Sequence, residues 1–349
     1  MKTQIIKLTM VAMACCCLSG CGGDDAQGSS DVAEVTESVP TRFHKAEPVQ
    51  KVRPVMSQED QELFEAASKA WDIRKRVQLL ENYTNRQLSA VEVLHEIVQA
   101  FPADGMSPFR FIYERTPYML STFLGDRLSP RQTRRLDIEA LRVEMVIRGY
   151  IDHASLAYAF KEQMALSSIF DGHIFESTLV DNIGEESQQT YFEFRTSREE
   201  AEKVIGKGME WVSPRDMIDS LPAWMEQYEK MRVLIPVFEK SQQVDIFWLK
   251  RMDALAMEYD IKLLAREIAK EAVLWENVYE LPIGCKEWEG TLEGFSKFLQ
   301  AMQSDGMLID VRSVDISSRR NPSEMMKGSF SLRCIYTRAE QAEMGRGQE

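Results

Sequence analysis

The sequence is poor in the residues that carry most protein chemistry. Of its 349 residues, six are cysteine and four are histidine. Residues 15 to 17 and Cys21 account for four of the cysteines, so only Cys285 and Cys334 remain for the body of the chain. This number excludes a disulfide scaffold and a zinc ribbon. Both thiols lie in phase with apolar neighbours on predicted strands, which favours burial and leaves a single disulfide open.

Catalytic and metal-binding motifs are also missing. The sequence has no Gly-x-Ser-x-Gly, no glycine-rich phosphate loop, no His-Glu-x-x-His and no calcium-loop spacing. Asp171-Gly172-His173 contains two residues that could bind a metal ion, but turns with Asp and Gly are common for conformational reasons alone. We therefore expect no enzymatic activity, no cofactor and no metal.

Positive charge and long apolar runs are scarce as well. The formal net charge is −13, with 42 basic and 55 acidic residues. A protein that binds nucleic acid needs a basic face, and none is evident. Beyond the N-terminus, no stretch approaches the roughly 20 apolar residues of a membrane-spanning helix. The chain is long enough for two domains of ordinary size.

The first residues have the pattern of an export signal. Lys2 and Lys7 precede a mostly apolar run over residues 8 to 17, which is followed by Leu18-Ser19-Gly20-Cys21. That tetrapeptide resembles the lipobox of bacterial lipoprotein signal peptides. The resemblance implies that residues 1–20 are removed, that Cys21 receives lipid, and that the protein is attached to a membrane of the cell envelope and faces the periplasm. Inner and outer membrane both stay open.

A tether and a helix follow. Residues 21–56 are rich in Gly, Ser, Asp, Glu and Pro, which predicts a disordered segment. Over residues 57–84, apolar residues recur at spacings of three and four, as in a coiled coil of about two and a half heptads. This first seam consists of Leu63, Ala66, Ala70, Ile73, Val77 and Leu80. It could contact a partner or second copy, or pack on its own domain.

Residues 85–197 then show the order α-β-β-α-β-β. Apolar alternation predicts strands over residues 109 to 114, 141 to 148, 173 to 181 and 189 to 196. Residues 117 to 136 are predicted to form an inserted short helix that begins at Ser129-Pro130. Two helices on one antiparallel sheet in this order predict a ferredoxin-like domain with a permuted start.

The pattern recurs after a linker and helix over residues 198–240. Its second seam consists of Leu221, Trp224, Tyr228, Met231, Ile235 and Phe238, with Pro236 expected to kink or end the helix. Residues 241–338 repeat α-β-β-α-β-β, and residues 339–349 are a predicted disordered tail. Gly149 with Phe160 and Met164 recurs as Gly290 with Phe298 and Met302. The sequence thus predicts an α+β protein with two ferredoxin-like domains, each preceded by a long amphipathic helix.

Short motifs in both halves resemble a known pair of families. In residues 230 to 338 they are Leu234-Ile235-Pro236, Tyr279-Glu280-Leu281-Pro282-Ile283, Glu289-Gly290-Thr291-Leu292 with Phe295 and Phe298, and Val311-Arg312-Ser313-Val314-Asp315. This stretch resembles PilO, a membrane-platform protein of type IV pilus assembly. In residues 85 to 197 they are Val93-Leu94-His95-Glu96-Ile97, Phe101-Pro102, Ile147-Arg148-Gly149 and Phe192-Glu193-Phe194. That stretch resembles the periplasmic part of PilN, the usual partner of PilO.

The resemblance implies a scaffold in a type IV pilus or type II secretion-like machine, with platform proteins or a second copy as partners. Two features depart from the family pattern. Family members usually have one transmembrane helix where this chain has a lipobox, and PilN-like proteins carry a cytoplasmic peptide that has no counterpart here. The alternative is a surface or periplasmic lipoprotein that binds a soluble ligand or host molecule; a filled pocket between the domains would favour it.

Overall fold

The computed structural model describes a single unit that lies within Val55–Glu349. The described residues are 56–84, 88–100, 108–125, 133–170, 175–184, 187–196, 210–318 and 325–339. The predicted signal peptide, the predicted lipidation site Cys21, nearly all of the predicted tether and all but the first residue of the predicted tail lie outside them. Predictions about those segments stay predictions.

The first half of the unit contains three helices and four long strands in its described part. They are α1 (Gln58–Thr84), α2 (Ala90–Ala100), β1 (Phe109–Leu124), β2 (Arg134–Ile151), α3 (Ala154–Leu166), β3 (Phe175–Gly184) and β4 (Ser187–Thr196). A single turn of 3₁₀ helix, Ser168–Phe170, follows α3. After α1, the order is the predicted α-β-β-α-β-β.

The second half adds short elements to the same order. They are β5 (Glu210–Val212), α4 (Pro214–Asp219), α5 (Leu221–Arg232), β6 (Val237–Phe238), α6 (Val244–Glu258), β7 (Lys262–Ile268), β8 (Ala272–Trp275), β9 (Val278–Gly290), α7 (Leu292–Met302), β10 (Ile309–Ser318) and β11 (Met326–Arg338). Ser213 caps the start of α4, because its Oγ accepts a hydrogen bond of 3.0 Å from the backbone N–H of Asp216. The mixture of helices and an antiparallel sheet confirms the α+β class.

All the described strands belong to one sheet with the order β3-β4-β2-β1-β10-β11-β9-β7. Within each half the order along the sheet is third, fourth, second and first of its four main strands. The short strands β5, β6 and β8 pair with β1, β11 and β9. The two halves therefore share both their element order and their strand order.

The halves meet along β1 and β10. These strands run antiparallel, in register from Phe109 opposite Ser318 to Glu114 opposite Ser313. The first strand of one half thus hydrogen-bonds to the third strand of the other, and the backbone ladder continues across the junction.

The main core lies between the sheet and the helices α2, α3, α6 and α7, whose buried residues form one cluster with one face of the strands. Period-two alternation explains the strand side, because every second residue from Phe109 to Tyr113 and from Met145 to Ile151 is buried. Trp288 stacks on Phe295 of α7 with ring centroids 4.0 Å apart, and both are fully buried. One continuous core joins the halves.

Two matched glycines support the predicted internal repeat. A Cβ on Gly149 would lie 2.7 Å from the backbone oxygen of Pro108, and a Cβ on Gly290 would collide with the side chain of Ile261. Pro108 and Ile261 each directly precede the first strand of their half. Both glycines therefore allow the second strand to lie close against the start of the first. The paired residues Phe160, Met164, Phe298 and Met302 are all buried in the core.

The prediction of an inserted helix over residues 117 to 136 is wrong. β1 continues to Leu124 and β2 begins at Arg134, and they pair without a break; Ser129-Pro130 lies outside the described residues. The extension is stable as a hairpin because Leu124, Leu136 and Ile138 bury their side chains against α1. Three-dimensional packing decides this segment, where local sequence suggested a helix.

The second long helix is also interrupted. α4 ends at Asp219, and α5 begins at Leu221 with Pro222 in its first turn. Proline has no N–H to continue the preceding helix but fits a helix start, which explains the break. The helix ends at Arg232, so Ile235 lies in a turn and Phe238 in β6.

Candidate functional site

The two predicted seams pack against each other inside the chain. Val77 and Leu80 of α1 are in one apolar cluster with Tyr228 and Met231 of α5 and the nearby Ile235. The cluster rests on the sheet through Val278 and Ile335, and Trp224 packs at its edge. The two seams therefore cover each other as a pair of helices that pack on strands β9 and β11.

The twelve predicted interface residues differ in burial. Ala70, Val77, Leu80, Tyr228, Met231, Ile235 and Phe238 are buried; Leu63, Ile73, Leu221 and Trp224 are half-buried; Ala66 is exposed. At the start of α1, Ala67 and Trp71 take the inward positions with Ala70, and they contact the tip of the β1–β2 hairpin and Met217 of α4. Phe238 leaves the second seam and joins the main core, with its ring 5.5 Å from that of Tyr336. Any contact of the seam residues with a partner stays a prediction.

A buried polar network fixes the end of α1 to the sheet. The Tyr83 hydroxyl donates a hydrogen bond of 2.5 Å to Glu280, which also pairs with Arg333. Burial, and then the charge of Glu280, raise the pKa of Tyr83 well above its ordinary value, so this hydroxyl stays protonated. The network therefore holds α1 in one position on the strands β9 and β11.

A second buried group lies where the halves meet. Asp310 of β10 pairs with Arg115 of β1 and lies 2.6 Å from Nε of Arg312. Arg115 also donates a hydrogen bond of 2.9 Å to the backbone oxygen of Asn82 at the end of α1. Burial raises the pKa of Asp310, and the two guanidinium groups oppose that rise. Arg115 thus joins α1, the first half and the second half in one contact.

Sequence reasoning missed this network. Tyr83 follows the last seam position by three residues, and Asp310 alternates with the apolar residues Ile309 and Val311. Charged residues at alternate strand positions usually face solvent, so nothing local marks Asp310 as buried.

A cleft of about 700 Å³ opens beside the network, between the two halves. Tyr83, Tyr113 and Arg115 contribute polar groups, and Ile235, Met307 and Val311 contribute apolar surface. The Tyr113 hydroxyl donates a hydrogen bond of 2.8 Å to the backbone oxygen of Leu88, and burial raises its pKa above the ordinary value. The cleft is thus bounded by the end of α1, by β1 and β10, and by the turn after α5.

Exposed apolar residues border this cleft. Val233 is 83% exposed, Leu234 is 52% exposed and Val237 is 68% exposed, all in or next to the turn after α5. We call these three residues the turn patch. Apolar side chains that cluster on a surface are typical of contact sites for other proteins.

The remaining chemistry-bearing side chains are dispersed. Cys285 and Cys334 are free and buried. They lie on neighbouring strands but four residues out of register, opposite Phe330 and Leu281, so they are too far apart for a disulfide. Burial raises the pKa of Cys334 well above its ordinary value. Among the described residues, no group of His, Cys, Asp or Glu could hold a metal ion, and no helix is long and apolar enough to span a membrane.

Comparisons with solved structures find weak similarity to part of the chain. No protein-family model matches the chain, and no curated protein matches it in sequence. The crystal structure of the type 4 fimbrial biogenesis protein PilO from Pseudomonas aeruginosa is similar to part of it, with 14% identity over 34% of this chain and 88% of that chain. The TM-score is 0.27. A similarity this weak assigns neither a family nor a function.

Proposed function

We propose that this chain is a non-enzymatic scaffold of the cell envelope, attached to a membrane by lipid on Cys21. In this proposal its two halves are ferredoxin-like domains, one PilN-like and one PilO-like, that form within one polypeptide the pair usually made by two chains. Its partners are platform proteins of a type IV pilus or a related secretion machine.

One observation carries the proposal: two halves with the same αββαββ order join edge to edge through β1 and β10. The order third-fourth-second-first is that of a ferredoxin-like sheet with a permuted start. The motifs that resemble PilN and PilO lie one set in each half. A paired module of this kind is suited to holding other proteins in place.

The turn patch is the surface that we assign to a partner. Its residues Val233 and Leu234 follow α5 directly and border the cleft between the halves. Ile235, between them and Pro236, is 3% exposed and anchors the turn from below. The patch is therefore apolar, exposed and held in place, which are the properties of an interface core.

The test is a pull-down of the C-terminally tagged full chain from native membranes in mild detergent, with the bound proteins identified by mass spectrometry. Seam residues such as Val77 are poor targets, because a charge there breaks the fold. Val233→Asp and Leu234→Asp change only exposed positions. Met257→Asp is the matched control, because Met257 is 85% exposed on α6.

The proposal expects pilus or secretion assembly proteins with the wild type and with Met257→Asp, and their loss with the turn-patch variants. A wild-type preparation that contains only this protein contradicts it.

The cleft favours a second candidate, a lipoprotein that binds a soluble ligand between its halves. Its volume is within the range of small-molecule sites. Native mass spectrometry of the protein purified from its own cells tests this candidate, which requires an additional mass on the folded protein; a preparation with the mass of the protein alone contradicts it.

A further inference from the structure

The two ends of the sheet are built differently. At one end, β7 and β8 pair in turn with β9; at the other end, β3 pairs with β4 and has no neighbour on its outer side among the described residues. An edge strand presents unpaired backbone N–H and C=O groups to any extended chain. The two edges of this sheet differ in how well they are protected against such pairing.

The β7–β8 edge carries several protective features. β7 has seven residues, with register irregularities between Leu263 and Ala265 and between Ala265 and Arg266. β8 has four residues and a further irregularity. Lys262 and Arg266 place positive charges on β7. Short strands, irregular pairing and basic side chains are the usual means of preventing edge-to-edge association.

The β3 strand itself has none of these features, and the basic group that contacts it is Lys161 of α3, which donates a hydrogen bond of 2.9 Å to Ser177. β3 pairs with β4 over ten consecutive residues, from Phe175 to Gly184, without a register shift. The segment Phe-Glu-Ser-Thr-Leu-Val-Asp-Asn-Ile-Gly contains no Lys, Arg or Pro. Val180 is 52% exposed on it, whereas Leu179 packs against the core. β3 is a long, regular edge with an apolar residue at its centre.

The molecule itself shows how such an edge is used. In the second half, the strand equivalent to β3 is β10, the third strand of its αββαββ unit. The outer side of β10 is covered by antiparallel pairing with β1. We propose that β3 is an interaction edge that pairs antiparallel with β3 of a second copy of this chain, so that two sheets continue into one.

The order of residues in β3 fits self-pairing. In an antiparallel pair centred on Leu179, position 178 faces position 180, so that Thr178 of one copy meets Val180 of the other. Two β-branched residues opposite each other suit neighbouring strands. A symmetric contact of this kind uses the same surface on both copies and closes as a dimer.

Sedimentation of the purified full chain in mild detergent, over a wide range of concentrations, tests the proposal. We expect a monomer–dimer equilibrium. Val180→Lys places two ammonium groups near the two-fold axis and lowers the association constant by about tenfold or more. Val273→Lys is the matched control, because Val273 is 65% exposed on the protected edge; its association constant stays at the wild-type value.

Hydrogen exchange supplies an independent readout that does not depend on a variant. The β3 amides that point outward exchange more slowly as the protein concentration rises, whereas the β7 amides do not respond. The proposal is overturned by a monomer at all concentrations with fast-exchanging β3 amides. A dimer that is insensitive to Val180→Lys also overturns the proposal, because the contact between copies then lies elsewhere. Protection of the β3 amides in a monomer by a different protein overturns it too.

Discussion

The two halves of the sheet have the same core but opposite extensions. The first half lengthens β1 and β2 into a hairpin that reaches α1, whereas the second half keeps compact strands and adds β8 along its edge. The matched residues Gly149 and Gly290 lie in the shared part. The comparison teaches that the αββαββ frame is repeated, and that the halves differ at the ends of their strands, near α1 and α5.

The largest expected effect compares Trp288 with Ile147, which precede the matched glycines by two residues in their respective halves. Both are fully buried. Trp288→Ala removes the ring stacked on Phe295 and should destabilise the protein by about 3–5 kcal/mol; Ile147→Ala should cost about 2–5 kcal/mol. Because the core is continuous, chemical denaturation followed by circular dichroism should show one transition for each variant. Two unfolding transitions, of which each substitution shifts only the one that belongs to its own half, would mean that the halves unfold independently.

The next comparison concerns two ion pairs across the same junction. The Arg115–Asp310 pair is almost fully buried, whereas Arg110 and Asp315, 2.7 Å apart, are each about 40% exposed. Arg115→Met removes one of the two guanidinium groups that compensate the buried carboxylate of Asp310. We expect a loss of about 3–5 kcal/mol in unfolding free energy. Arg110→Met should cost only about 0.2–1 kcal/mol, and less in high salt. Equal losses in a urea titration would contradict the difference in burial.

The glycines themselves give a smaller effect. Gly149→Ala pushes Cβ against a backbone oxygen, which cannot move without shifting β1, and should cost about 1–3 kcal/mol. Gly290→Ala meets the end of the Ile261 side chain, which can rotate, so its cost should be lower. Thermal unfolding of the two variants measures the difference. A larger loss for Gly290→Ala would show that the close approach matters more in the second half.

The smallest effect is expected at the cysteines, which only the second half contains. Burial raises the pKa of Cys334, so the thiolate that reacts with disulfide reagents is rare until the protein unfolds. A thiol assay on the native protein near pH 8 should therefore label neither Cys334 nor the buried Cys285, and denaturant should expose both. Rapid labelling of the native protein would indicate that β9 and β11 separate easily.

The sequence predicts the repeated frame well and its connections poorly. Alternation from Met145 to Ile151 and helical spacing in α7 mark elements that bury one face, and those elements are present. The break at Ser220 was missed although Pro222 signals it. The sequence contains no signal for the pairing of β1 with β10, because strands pair through backbone groups that every residue has. Asp310 was missed for a different reason: only the three-dimensional arrangement brings Arg115 to it.

The most direct test of the account is to divide the chain between the halves, in the segment over residues 197 to 209 that lies outside the described residues, and to produce the two pieces together. If the halves are a fused pair, the pieces should purify as a 1:1 complex. Arg115→Met in the first piece should weaken that complex, whereas Met257→Asp in the second should not. Two pieces that fold but fail to associate would contradict the claim that β1 and β10 join a paired module.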